Sequence, residues 1–173
     1  FEAGDGTIIC DLVVHDSMFA TSTMGPDAQR ITLERWTIDP AAGTVVRSVL
    51  DDAPQEFPRI DERVTGRRHR HIWTVPVDRR EVMARDALWW HDLEAGRKIA
   101  HHFGDGAVAG EFVHVPYGPG ELDAWLMGYV LFPQAGETRL VILDAADFAG
   151  PPVAEVIIPQ AIPPGFHGNW IPA

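Results

Sequence analysis

The sequence predicts an all-β fold of about three propeller blades. Two observations carry that expectation: an internal repeat with a period near 50 residues, and the near-absence of helical patterning. Asp39, Asp92 and Asp144 follow one another at 53 and 52 residues, and each ends an apolar run that a glycine-containing loop and a second β-prone run follow. The 16 glycines and 14 prolines leave few uninterrupted windows of helical length among 173 residues.

Taken in order, residues 7–14 read as a first strand of β-branched and apolar residues. Residues 33–46, 87–99 and 139–156 read as three hairpins. In each, the repeat aspartate accepts turn hydrogen bonds and Gly43, Gly96 or Gly150 supplies the left-handed conformation. Residues 70–77 and 125–132 supply further strands. The basic run Arg67-Arg68-His69-Arg70-His71 reads as a turn and strand start, with anion binding as the lesser alternative. Residues 78–87 read as a hairpin loop, with a helical turn as the alternative.

Composition bounds the class. With 46% hydrophobic and 23% charged residues, the chain reads as globular, and no run approaches the roughly 18 apolar residues of a membrane span. A domain of this length buries about 70% of its unfolded surface. The net charge of −11 repels phosphate backbones, so nucleic acid is not an expected partner. Cys10 is the only cysteine, which excludes an internal disulfide and a cysteine-based metal cluster. Three blades do not close a propeller, and the chain opens on Phe1. The expectation is therefore that residues 1–173 are the C-terminal part of a single propeller domain whose N-terminal blades lie upstream.

After each hairpin comes a proline-punctuated segment, and these hold Glu56, Glu111 and His167 at 17, 19 and 23 residues beyond the repeat aspartates. If the segments enter the innermost strands, two carboxylates and an imidazole face one axis. Such a set forms a metal site or a proton-handling site. Each residue also has a plainer reading. Gly165-Phe166-His167-Gly168 reads as a tight turn with a solvated histidine, and Glu56 as an exposed strand residue. Glu111, between Gly110 and Phe112, needs a partner if buried. His101 and His102 are adjacent and point to opposite faces of a strand. His69 and His71 share a face, but the arginines around them disfavour a cation, and His15, His91 and His114 read as surface or strand-end residues.

Five segments carry a resemblance to a known family: Glu56-Phe57-Pro58-Arg59-Ile60-Asp61, residues 110–116, residues 124–130, residues 140–145 and residues 162–170. Together, and in this order, they resemble the carotenoid cleavage oxygenases, most closely the bacterial lignostilbene dioxygenase-like branch. The resemblance implies a seven-bladed propeller whose axis holds a non-haem Fe(II) on four histidines, with outer glutamates hydrogen-bonded to several of them. By motif His167 resembles the last of the four ligands, and Glu56 and Glu111 resemble two of those glutamates. The third ligand is expected just before Phe1 and the first two further upstream. The other seven histidines match no ligand motif, and His71 and Leu122-Asp123-Ala124 depart from the family pattern.

The implied reaction is cleavage of a conjugated carbon–carbon double bond by O₂ to two carbonyl products. Its substrates would be carotenoids, apocarotenoids or stilbenoids, held in an apolar tunnel. Further expectations are that residues 1–173 alone are inactive, that the compartment is cytoplasmic, and that any peripheral membrane association runs through parts outside this chain. The alternative function is a non-catalytic propeller module that serves as a binding platform. A calcium-dependent propeller hydrolase is a third class, which would want Asp and Asn near the axis instead of a final histidine.

Overall fold

A computed structural model describes residues 1–21, 27–78 and 85–171. Eleven strands form three antiparallel sheets, and among the described residues there is no α-helix. The first sheet is β1 (Ile8–His15), β2 (Ile31–Asp39) and β3 (Thr44–Asp51), in that order. The second is β4 (Gln55–Arg59), β5 (His71–Pro76), β6 (Ala87–Asp92) and β7 (Arg97–His102). The third is β8 (Val108–Pro116), β9 (Ala124–Phe132), β10 (Glu137–Asp144) and β11 (Ala154–Ile158). Each sheet is a meander of sequential strands, the build of a propeller blade.

The repeat aspartates end β2, β6 and β10, the equivalent strand of each blade. Asp39 Oδ1 accepts from the amides of Ala41 and Ala42 at 2.9 Å, Asp92 Oδ1 from Ala95 at 3.1 Å, and Asp144 Oδ1 from Ala146 at 2.9 Å. Gly43 and Gly96 take the left-handed conformation, at φ +66° and +61°, which closes their hairpins. Gly150 does not. The connection from β10 to β11 is longer, and an added Cβ at Gly150 would meet only the exposed Asp147 carboxylate, which can swing aside. The expected loop or helical turn over residues 78–87 falls largely on 79–84, outside the described residues. The basic run is a turn and strand start: a 3₁₀ turn spans Glu62–Val64, β5 begins at His71, and Arg70 closes a two-pronged pair with Asp92 at 2.7 Å.

The blades are joined in two ways. Between the second and third lies the hydrophobic core, with Trp73, Leu88 and Trp90 packed against Phe112, Leu126 and Phe148. Phe103 stacks on Phe112 at 5.4 Å. Side chains of this size are the largest single contributors to apolar burial. First and second blades are instead tied by polar contacts: Asp11 on β1, paired within its own sheet with Arg35, takes His69 Nε2 at 2.8 Å, and Lys98 reaches Asp51 at 2.6 Å. Among the described residues no helix is long and apolar enough to cross a membrane.

Three histidines read as surface or strand-end residues have buried side chains, although His15 does end β1. His91 meets Thr74 Oγ1 through Nε2 at 3.0 Å, and His114 meets the Glu121 carbonyl through Nε2 at 2.8 Å. The His15 side chain is 8% exposed. Their strands pack at blade interfaces, and an imidazole with one hydrogen-bond partner is tolerated there.

Candidate functional site

Glu56 and Glu111 occupy equivalent places: each lies on the first strand of a four-stranded blade, β4 and β8. Each also sits at an irregularity. The register of β4 on β5 shifts between Glu56 and Arg59, and that of β8 on β9 shifts between Ala109 and Phe112. An extra residue in one strand bends it and re-aims the side chain at the bulge. After Glu56 the backbone enters the left-handed region at Phe57, φ +53°, a conformation costing a bulky residue about 1–3 kcal/mol.

His167 lies beyond β11, in a segment with no strand, where the repeat offset suggested one. Pro159, Pro163 and Pro164 remove amide donors that a strand would need. The segment is held by side chains instead. The amide of Ile162 donates to Thr138 Oγ1 at 2.9 Å, and that of Gly168 donates to Glu111 Oε2 at 2.9 Å. His167 Nδ1 lies 3.2 Å from Glu111 Oε1. Arg59 adds a second tie, with Nη2 donating to Asn169 Oδ1 at 3.0 Å and to Glu62 at 2.7 Å, and Nη1 3.5 Å from Glu111.

The sequence-predicted residues are thus brought together in part. Glu111, only 5% exposed at its side chain, faces His167, which is 75% exposed. Glu56 does not touch His167. Its Oε1 meets His15 Nε2 at 2.8 Å, while its neighbour Phe57 sets its ring edge-on to the His167 imidazole at 5.9 Å. Burial pushes the Glu56 carboxyl above its ordinary range, and the charges of His15 and Arg85 oppose that rise. Arg85 also stands over the Phe57 ring at 5.3 Å. Phe57, Arg59 and His15 escaped the sequence reading. Phe57 and Arg59 lie inside a motif already singled out, whereas His15 carried no local signal.

The carboxylate at Nδ1 makes that nitrogen the protonated one and leaves the Nε2 lone pair facing outward, without a partner among the described residues. That is the arrangement of a metal-binding imidazole held by an acceptor. Among the described residues no group of three or more His, Cys, Asp and Glu side chains converges, so these residues offer one coordinating imidazole, with a carboxylate behind it. Beside it lies a cleft of about 310 Å³, walled by Val108, Tyr129, Leu131, Ile162 and Phe166, with Glu111 and His167 on its polar rim. Such a cleft suits an apolar occupant.

Fold and site together define a run of propeller blades that presents a carboxylate-backed histidine beside an apolar cleft. Residues 1–172 match the family of the retinal pigment epithelial membrane protein, and the chain belongs to that family, the carotenoid cleavage oxygenases. It is 35% identical over 177 aligned residues to the carotenoid cleavage oxygenase of Mycobacterium tuberculosis, covering 98% of this chain and 35% of that protein. With the apocarotenoid-15,15'-oxygenase of Synechocystis it shares 31% identity, over 96% of the chain and 36% of that enzyme. With the lignostilbene-alpha,beta-dioxygenase isozyme III of Sphingomonas paucimobilis the identity is 27%, over 86% and 33%. The chain thus spans about a third of the length of these relatives. Among solved structures, cobalt-substituted Synechocystis apocarotenoid oxygenase superposes with a TM-score of 0.88 at 29% identity, over 99% of this chain and 38% of that one. The three sheets are accordingly about three blades of a seven-bladed propeller.

Proposed function

We propose that residues 1–173 form the C-terminal part of the propeller domain of a non-haem Fe(II) dioxygenase. It cleaves a conjugated double bond of a carotenoid, apocarotenoid or stilbenoid to two carbonyl products. The observation that carries this reading is the Glu111–His167 pair at 3.2 Å, which fixes the imidazole tautomer that a metal ligand requires. The cobalt-substituted structure of the Synechocystis relative supports a metal at such a site. His167 would hold the iron through Nε2, Glu111 would orient His167, and Glu56 would orient a second imidazole from upstream of Phe1. When bound, Fe(II) on neutral imidazoles supplies the activation of O₂ that cleavage of an alkene needs.

The chain's own residues do the rest. Glu111 takes the Nδ1 proton in a hydrogen bond and, through Gly168, pins the loop that carries the imidazole. Phe57 sets its ring edge-on to the imidazole, and the apolar wall beside it would give an alkene lying there a nonpolar contact face. One imidazole cannot replace four, so residues 1–173 alone are expected to be inactive. The test is His167→Ala in the full-length protein, with iron measured by metal analysis and carbonyl product by chromatography. Loss of both is expected, and stoichiometric iron with full turnover would refute the assignment.

A further inference from the structure

His15 is a buried imidazole that the proposed reaction does not use. It ends β1 on the first blade, opposite Ile31 in the register with β2, and reaches across to β4 of the second. Its Nε2 lies 2.8 Å from Glu56 Oε1, and because a carboxylate only accepts, Nε2 is the donor. Its Nδ1 is buried with no hydrogen-bond partner among the described residues. The contact with Glu56 is therefore what holds the ring, since its other nitrogen makes none among the described residues.

Glu111 shows what a working carboxylate looks like in this fold. One of its oxygens is committed to the protein, at the Gly168 amide, and the other is turned to an imidazole. Glu56, at the equivalent bulge on the equivalent strand, has Oε1 committed to His15, with the Phe57 amide also donating to its carboxylate and the Arg85 charge nearby. We propose that His15 is a positioning residue for the iron site, clamping one oxygen of Glu56 so that the other is presented to an imidazole entering from upstream of Phe1. This assignment rests on the reading of Glu56 as an outer carboxylate of that site. It makes the first blade part of the metal's support, although that blade shares none of the hydrophobic core formed by the second and third.

The experiment uses the full-length protein and reads Fe(II) affinity by chelator competition, with the thermal midpoint of the metal-free form followed in parallel. His15→Phe keeps an aromatic ring but removes the donor, while His15→Gln places an N–H donor at comparable reach. His15→Phe is expected to weaken iron binding about tenfold, the lower end for loss of an outer-shell partner, and His15→Gln to restore most of it. In a Glu56→Ala background His15→Phe should have no further effect, because it acts through that carboxylate. Equal affinity for His15→Phe and wild type, or equal weakness for the Phe and Gln variants, would overturn the role of His15. If Glu56→Ala itself leaves iron affinity unchanged, the outer-carboxylate reading of Glu56 fails and takes this inference with it. Weakened binding in Glu56→Ala with none in His15→Phe overturns the role of His15 alone.

Discussion

Removing the Glu111 carboxylate tests the site most directly. Glu111→Ala breaks two hydrogen bonds at once, from the Gly168 amide at 2.9 Å and with His167 Nδ1 at 3.2 Å, and strips Arg59 of a neighbour at 3.5 Å. Hydrogen bonds to a charged group contribute about 1.5–3 kcal/mol each, and exposure of the His167 ring puts its bond at the low end. Loss of a ligand's outer partner typically weakens metal binding about 10–100-fold, or roughly 1.4–2.7 kcal/mol, a range of the same size. Glu111→Gln keeps one acceptor oxygen, so it should lose about 3–10-fold and fall between wild type and the alanine variant. The assay is chelator competition for Fe(II) in the full-length protein, with circular dichroism to show that β8 stays folded. Wild-type affinity in Glu111→Ala would refute the outer-carboxylate role, as would equal losses in the Ala and Gln variants.

Two further outcomes follow from packing and from burial. Gly128 lies opposite Phe112 on β9, where an added Cβ would stand 2.5 Å from the ring, so Gly128→Ala should cost about 1–3 kcal/mol and lower the melting temperature by several degrees. An unchanged melting curve would mean that the ring next to Glu111 is free to move. Burial pushes the His91 pKa down to about 4, with Asp51 opposing and Lys98 adding, so the folded chain takes up this proton less readily than the unfolded one. Its contribution to stability is complete above the unfolded pKa near 6.5 and is lost as the pH falls towards 4, by about 2 kcal/mol between pH 6.5 and 5. Denaturant titration at those two values should show the fall, and His91→Gln should flatten it. A slope unaltered in that variant would refute the account.

What the sequence disclosed was what local chemistry controls. An aspartate that closes a turn and a glycine that bends left-handed act within a few residues, so the blades were legible from Asp39, Asp92 and Asp144. Gly150 misled because a glycine in a loop need not take positive φ, and the letter alone does not tell which do. Glu111 and His167 were visible through repeat phase and motif, although His167 lies beyond the last strand and reaches Glu111 through side-chain ties. His15 was not, because its partner is 41 residues away on another blade and nothing beside it marks burial. Nor does period-2 alternation announce a bulge, so the turn of Phe57 into the left-handed region and the swing of Glu56 towards His15 had no signature.

The ties of the terminal segment have a temporal meaning. Glu111 reaches His167 and Gly168 across 56 and 57 residues, and Arg59 and Glu62 reach Asn169 across 110 and 107. Contacts of such sequence separation close late, after the hairpins on which they depend. At the segment's own end they rest on exposed residues, while Glu111 and Arg59 anchor them from largely buried positions. The segment bearing His167 is therefore held to the sheets by side-chain ties and not by strand pairing.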